Sequence, residues 1–320
     1  MEFIREVFSI PFGYLIGFFY NLTDNYILSL LFMTITVKLV LLPSSIKQQK
    51  STVKSQRLQP KIRRIKEKYA NDQKKQQEAM NELYSKEGYS SMTGGCLPML
   101  ITFPVMMGVY AVNYKLLSYV LRIPEEIITK LNSLAMALPN LGTYEKQDFR
   151  AELTVISHFN ELDLTGIPAE YVEKISDFAD KFKFLGMNLE QTPQAKVFNA
   201  LWLIPILTGI ASLAMALYSY MRQKKTNPEM AKNPSMGCMT FMSPAMSIWF
   251  SFLFPASVGV YIIMSTTLSF IQMIVLNHTH SPKKMLANLM VNETINHRAK
   301  ENIVKNVAET LSETNDNSEE

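Results

Sequence analysis

The five longest apolar stretches of this chain, at 25–44, 96–114, 200–221, 236–254 and 257–277, contain no aspartate, no glutamate and no histidine. Proton relays and intramembrane proteases place carboxylates, imidazoles or a metal site inside the membrane. Their absence excludes most membrane-enzyme and proton-coupled classes. Cysteine is nearly absent too: only Cys96 and Cys238 occur, so neither a disulfide framework nor a zinc site is expected. Of the four histidines, His278 and His280 have a metal-like spacing, but only the distant His297 follows them, and they read as solvated. His158, Asp163 and Asp177 read as surface residues. No catalytic residue, cofactor or metal is assigned. The start, MEFIREVFSIPFGYLIGFFYN, has one basic residue, an apolar run broken by Pro11 and Gly13, and no A-x-A site, so it is not expected to be a signal peptide.

What the chain has instead is apolar residues gathered into blocks. They make up 48% of 320 residues, alternating with charged segments. A helix rises about 1.5 Å per residue, so roughly 20 apolar residues cross a hydrocarbon core of about 30 Å. The blocks predict an all-α membrane protein with spans at 23–44, 93–116, 200–221, 236–254 and 257–277. Residues 1–22 read as an interfacial amphipathic helix. The last two spans form a tight hairpin turning around PASVG, Pro255 to Gly259.

Lysine and arginine mark the cytoplasmic loops. Residues 45–92 carry twelve of them against five acids, whereas 117–199 carry eight against twelve acids. The first loop is therefore expected inside and the second outside. The link 222–235 holds Arg222, Lys224, Lys225 and Lys232 against Glu229 and belongs inside. With five spans the N-terminus lies outside and the C-terminus inside. The net charge of +4 is a sum of opposed local charges, and a basic loop beside spans meets lipid headgroups or a ribosome more readily than nucleic acid.

Residues 45–92 read as a basic helical hairpin broken at Asn71-Asp72, with Pro60 expected to bend the first helix. Val53, Leu58, Ile62, Ile65 and Tyr69 give that helix a narrow apolar stripe, and Arg57, Lys61, Arg63, Arg64 and Lys66 are candidate contacts. Residues 117–199 form an outer helical loop with an amphipathic piece at Ala169 to Phe182. The tail, 278–320, is net acidic and expected to be partly disordered.

Lys38 is the one clearly interior charge, and it sits among polar positions with helical spacing. Thr34 lies four residues before it. Thr208, Ser212 and Ser219 share a face in the third span, as do Ser243, Ser247 and Ser251 in the fourth and Tyr261, Ser265, Ser269 and Gln272 in the fifth. Thr102 and Asn113 are three turns apart in the second. Small hydroxyl residues also serve ordinary helix packing, and Lys38 stands near enough to Pro43 to snorkel. Taken together with Asn113 and Gln272, the stripes predict a shared hydrated cavity.

Several segments carry a resemblance. A span ending TVKLVLLP follows PFGYLI, then a hairpin opening SSIKQQKS and containing LQPKIRRIKEKY, then GGCLPMLITFPVMMGVY. Later come FKFLGMNLEQTP, NPSMGCMTFMSPAMS and FPASVGVYIIMSTTLSFIQ. In this order they resemble the YidC/Oxa/Alb group of membrane protein insertases, over roughly 11–114 and 182–277.

The resemblance implies five helices enclosing a hydrophilic groove, open to the cytoplasm and the lipid, with a basic residue inside. It implies an insertase and chaperone of a bacterial plasma membrane that takes nascent membrane proteins as clients, with the ribosome and the general secretion channel as candidate partners. The client-binding groove would contain Lys38, Thr34, Thr102, Asn113, Thr208, Ser212, Ser247, Tyr261, Ser265 and Gln272. Lys38 stands where members usually carry Arg, and Thr102 where many have Gln. Many such proteins from single-membrane bacteria carry an N-terminal lipid-anchored Cys, and this chain has none before residue 96. The outer segment 121–180 is longer than is typical. A small polytopic channel or transporter is the alternative; it predicts an internal repeat, and none is visible.

Overall fold

The computed structural model describes residues 2–87, 97–139, 141, 148–194, 197–226 and 234–279, and in the tail 285, 287, 288, 290–292, 294, 295 and 298–303. Cys96 and His280 lie outside these residues. The chain divides into two compact units, one of residues 1–42 and 97–273, the other of 43–96 and 274–320.

The first unit opens with α1 (Glu2–Thr23) and α2 (Tyr26–Val40). Between them Asp24 adopts φ 48°, and Asn25 caps α2 by accepting the Leu28 N–H at 3.1 Å. The helix α1 covers the stretch expected as an interfacial helix, and from residue 9 on its two faces can be compared. Its buried face carries Ser9, Ile16 and Tyr20, but the opposite face, Ile10, Tyr14, Phe18 and Leu22, is exposed and equally free of charge. Glycine lets α1 sit close to its neighbours: a Cβ on Gly13 would lie 2.3 Å from the Tyr119 ring, and one on Gly17 2.8 Å from the Tyr119 carbonyl oxygen.

The helix α5 (Leu97–Tyr114) packs against α1, and the short α6 (Leu116–Tyr119), α7 (Glu125–Met136), α8 (Ala151–Ser157) and α9 (Ala169–Lys181) form a layer over them. Aromatic rings join this layer to the helices below. Phe178 and Phe182 stack at 5.2 Å between centroids, and Tyr26 meets the Phe182 edge at 4.8 Å. After α9 a two-stranded ribbon follows, β1 (Lys183–Phe184) and β2 (Met187–Asn188), paired antiparallel. Its two-residue loop has positive φ at both Leu185 (51°) and Gly186 (77°), the type I′ geometry that matches strand twist.

The chain then enters α10 (Leu203–Thr226), α11 (Pro234–Ser251) and α12 (Ala256–Thr279). The turn of the final hairpin comes before PASVG rather than within it: α12 starts one residue after Pro255, so Ser257 and Gly259 are helical. A proline beside a helix start leaves no amide unsatisfied. Gly259 is needed for close approach, since a Cβ there would lie 2.4 Å from Ile204 Cγ2 of α10. The segment after β2 reaches α12: Gln191 and Leu189 carbonyls accept the Ala256 and Ser257 amides at 2.8 and 2.9 Å. Two donors orphaned at the helix start are thereby satisfied.

The second unit holds α3 (Leu42–Lys68) and α4 (Gln73–Lys86). The helix α3 begins three residues earlier than the hairpin expected at 45, and Pro43 is its second residue, where no intrahelical N–H is lost. It continues through Pro60 as one helix. Asp72 caps α4 by accepting the Lys75 N–H at 3.1 Å. Glu87, just past α4, pairs with Arg57 at 3.3 Å and with Lys61, so α4 returns along α3. Val53, Leu58 and Ile62 of the predicted stripe are buried.

The chain is an all-α membrane protein with, among the described residues, one short ribbon. Among the described residues, Ala200–Arg222 and Ala256–Thr279 are long and apolar enough to cross a membrane, and the broken pair Tyr26–Val40 with Leu42–Val53 makes a third if counted as one span. The helices α5 and α11 have 18 residues each. At about 1.5 Å per residue these described lengths reach roughly 27 Å, close to the thickness of a hydrocarbon core.

Candidate functional site, a cavity at Lys38

In the first unit, α2, α5, α11 and α12 surround a cavity of about 370 Å³. Helical spacing decides what each contributes. From α2 come Met33, Thr34, Val37 and Lys38, one face of about one and a half turns, with Leu41 just beyond its end. Val105, Met107, Val109, Tyr110 and Asn113 come from α5, and Phe250 from α11 with Phe254 just after it. Val258, Tyr261, Ile262, Ser265 and Thr266 of α12 complete the lining. Most of the wall is apolar, and Lys38 is the charged residue in it.

The Lys38 ammonium donates to Ser269 Oγ at 2.6 Å, and Ser269 in turn donates to the Ser265 carbonyl at 2.7 Å. Among the described residues no carboxylate pairs with this ammonium, and Ser269 is its one hydrogen-bond partner. An ammonium has three donors. A half-buried cation with donors to spare is expensive to keep in a protein interior unless something else solvates it.

The other predicted groove residues divide sharply. Thr34, Asn113, Tyr261 and Ser265 line the cavity with Lys38. Two of them are already engaged: Thr34 Oγ1 donates to the Leu30 carbonyl at 2.6 Å, while Asn113 accepts from Tyr26 at 2.6 Å and donates to the Val109 carbonyl at 2.9 Å. Asn113 thus has protein partners for one donor and one lone pair of its amide, with a second of each left over. Thr208, Ser212, Ser247 and Gln272 are not among the lining residues. Thr208 and Ser212 are buried, Ser212 donating back to the Thr208 carbonyl at 2.7 Å, and Ser247 donates to the Ser243 carbonyl at 3.0 Å. Thr208 and Ser212 thus lie outside this cavity's lining, and the buried Thr208 hydroxyl has no hydrogen-bond partner among the described residues. The Thr102 side chain lies outside the described residues.

Of the hairpin residues, Arg57 and Lys61 hold Glu87, and the Lys61 hydrogen bond keeps its carboxyl below the ordinary range. Arg63 and Arg64 are exposed, as is Lys66, and Arg63 pairs with Glu67 at 2.6 Å.

Two residues escape a reading by pattern. Ser269 belongs to the α12 stripe, but only the fold shows that it, rather than Gln272, meets Lys38. Glu152 gave no signal at all in an acid-rich loop. It is buried, accepting the Ser118 N–H at 3.1 Å and the Ser118 hydroxyl at 2.5 Å, and burial pushes its carboxyl above the ordinary range despite these bonds and nearby Lys115. Glu190, also buried, is raised for the same reason.

Comparison with known proteins bears on this arrangement. The family described as 60Kd inner membrane protein matches residues 18–284. A Bacteroides fragilis protein named membrane protein insertase YidC is 31% identical over 266 residues, which is 81% of this chain and 34% of that protein. Proteins of the same name from Brucella suis and Oleidesulfovibrio alaskensis are 39% identical over 104 residues and 42% over 93, covering 32% and 29% of this chain and 17% of each relative. The chain spans at most about a third of the length of these relatives. The family match runs through α2, α5, α11 and α12, all four helices of the cavity. This chain belongs to the YidC/Oxa/Alb family, the family of the 60Kd inner membrane protein.

Proposed function

We propose that the protein inserts newly made membrane proteins and helps them fold, receiving a polar client segment at the Lys38 cavity while the client's apolar helix passes into lipid. The observation that carries this reading is the Lys38 ammonium, facing a cavity with one hydroxyl as partner. Crossing a bilayer is opposed chiefly by desolvation of polar groups. A site that solvates an acidic tail part-way across lowers that barrier without an energy source. Lysine supplies charge but hydrates more strongly than arginine and lacks its planar fork, so it suits attraction without fixed bidentate geometry. Met33 and Met107 in the wall adapt to varied segments.

In this reading five spans enclose the groove, with the N-terminus outside and the C-terminus in the cytoplasm of a bacterial cell. The basic pair α3 and α4 meets clients, lipid headgroups or the ribosome, and the secretion channel is a further partner. The names borne by the relatives support the activity, and the loop charges support the orientation.

The test is rescue of a cell depleted of its own insertase. Lys38→Arg is expected to rescue all clients, Lys38→Ala to fail for clients with acidic translocated tails, and Lys38→Glu to fail for them most severely. Equal rescue by all three variants removes the charge from the mechanism. Cysteines placed at Thr34 and Ser265 are expected to react with water-soluble reagents from the cytoplasmic side, whereas one at Thr208 is expected to be inert.

A further inference from the structure

The wall of the Lys38 cavity is more apolar than a polar peptide segment requires. Val37, Met107, Phe254 and Ile262 are among its apolar lining residues, and Lys38, whose ammonium donates to Ser269, is the charged residue in the lining. Nothing among the described residues neutralises that ammonium. The volume, about 370 Å³, is near the lower end of the roughly 300–1,000 Å³ of small-molecule pockets, which suits one hydrocarbon chain and not two.

We propose that this cavity binds a single-chain anionic amphiphile, its carboxylate or phosphate on Lys38 and its chain along Val37, Met107, Phe254 and Ile262. The proposal deepens the insertase reading by giving the same site a regulatory ligand. The anion supplies the counter-charge that the protein withholds, forming charge-assisted hydrogen bonds with the spare donors. The chain replaces water on an apolar wall, and the surrounding bilayer is the source. An amphiphile so seated occupies the place of an acidic client tail, so it competes with insertion. Fatty carboxylates and lysophospholipids share this chemistry.

The experiment uses the full chain in discs of neutral phosphatidylcholine with a diazirine-bearing fatty carboxylate, mapping cross-links by mass spectrometry. Cross-links are expected at Met33, Met107 and Phe254. They fall at least tenfold in Lys38→Gln and persist in Lys38→Arg, while labelling of the exposed Ile210 stays constant in every protein and reports that the fold is intact. Excess oleate or lysophosphatidate displaces the probe, the stronger competitor identifying the headgroup, and oleyl alcohol does not. Displacement by neither anion, or cavity labelling unchanged in Lys38→Gln, overturns the proposal. Client insertion is scored separately in vesicles without the amphiphile. A protein that inserts but does not label rejects this ligand alone, and one that labels but does not insert rejects the insertase reading alone.

Discussion

Lys38 and Glu152 are both charged groups withdrawn from solvent in the same unit, and the chain treats them in opposite ways. Glu152 is enclosed: the N–H and hydroxyl of Ser118 are aimed at its carboxylate, and through α6 it anchors Tyr119, the residue against which Gly13 and Gly17 bring α1. Lys38 has one serine and a cavity. A buried charge with its donors complete is a structural fixture, and breaking it is costly. In the reading proposed above, a half-buried charge left incomplete is held for something that comes and goes. Completeness of the hydrogen bonds, more than depth of burial, separates the two roles.

The sharpest way to break this contrast is to remove each charge. Glu152→Leu is expected to destabilise the protein by about 1–3 kcal/mol, because the Ser118 donors are left buried without an acceptor. Lys38→Met is expected to leave stability unchanged or raise it, since an incompletely solvated cation disappears, while insertion of acidic-tailed clients falls about tenfold. Chemical unfolding in micelles and a vesicle insertion assay measure the two effects. If Lys38→Met destabilises as strongly as Glu152→Leu, the distinction is lost.

The path from Glu152 to α1 is tested next by Gly17→Ala. The added Cβ meets a backbone carbonyl at 2.8 Å, which has no rotamer to escape into, and overpacking of this kind costs about 1–3 kcal/mol. Tyr26→Phe removes the hydroxyl that Asn113 accepts, with an expected loss of about 1 kcal/mol and no selective effect on acidic clients.

Titration gives a smaller and directional effect. Burial raises the Glu152 carboxyl, so its contribution to stability is greatest in acid and is lost as pH rises from the ordinary carboxylate range through the raised value. Relative to Glu152→Gln, the wild type is therefore expected to lose stability over that window. Glu87, held low chiefly by Lys61, has the opposite sign: its contribution is present above the ordinary range and lost as pH falls through the lowered value. Glu87→Gln is expected to cost at most about 1 kcal/mol and to be salt-sensitive, as partly exposed ion pairs are.

The helices were legible because their signals are local. The apolar blocks at 200–221 and 257–277 fall on the helices Leu203–Thr226 and Ala256–Thr279, and Asp72 caps α4 next to the break expected at Asn71-Asp72. The cavity was legible only in part. A helical stripe shows which residues share a face, but not which neighbour that face meets. Thr34 with Lys38 and Tyr261 with Ser265 face the cavity, whereas Thr208 and Ser212, on an equally regular stripe, are buried outside it. Asn113 lines the cavity as its stripe suggests, but its partner Tyr26 was not legible, being 87 residues away in the sequence. Glu152 depends likewise on Ser118, across a loop no periodicity spans.

The carbonyls of Leu189 and Gln191 that receive the first amides of α12 have a consequence for assembly. The segment after β2 is synthesised before α12, so its acceptors exist before the donors that need them. The last apolar helix then docks onto a rim already built, and its end is registered to the residue when it arrives. Displacing that rim by one peptide would leave two amides bare at the start of α12, so the segment after the ribbon acts as a jig that sets the register of the final helix.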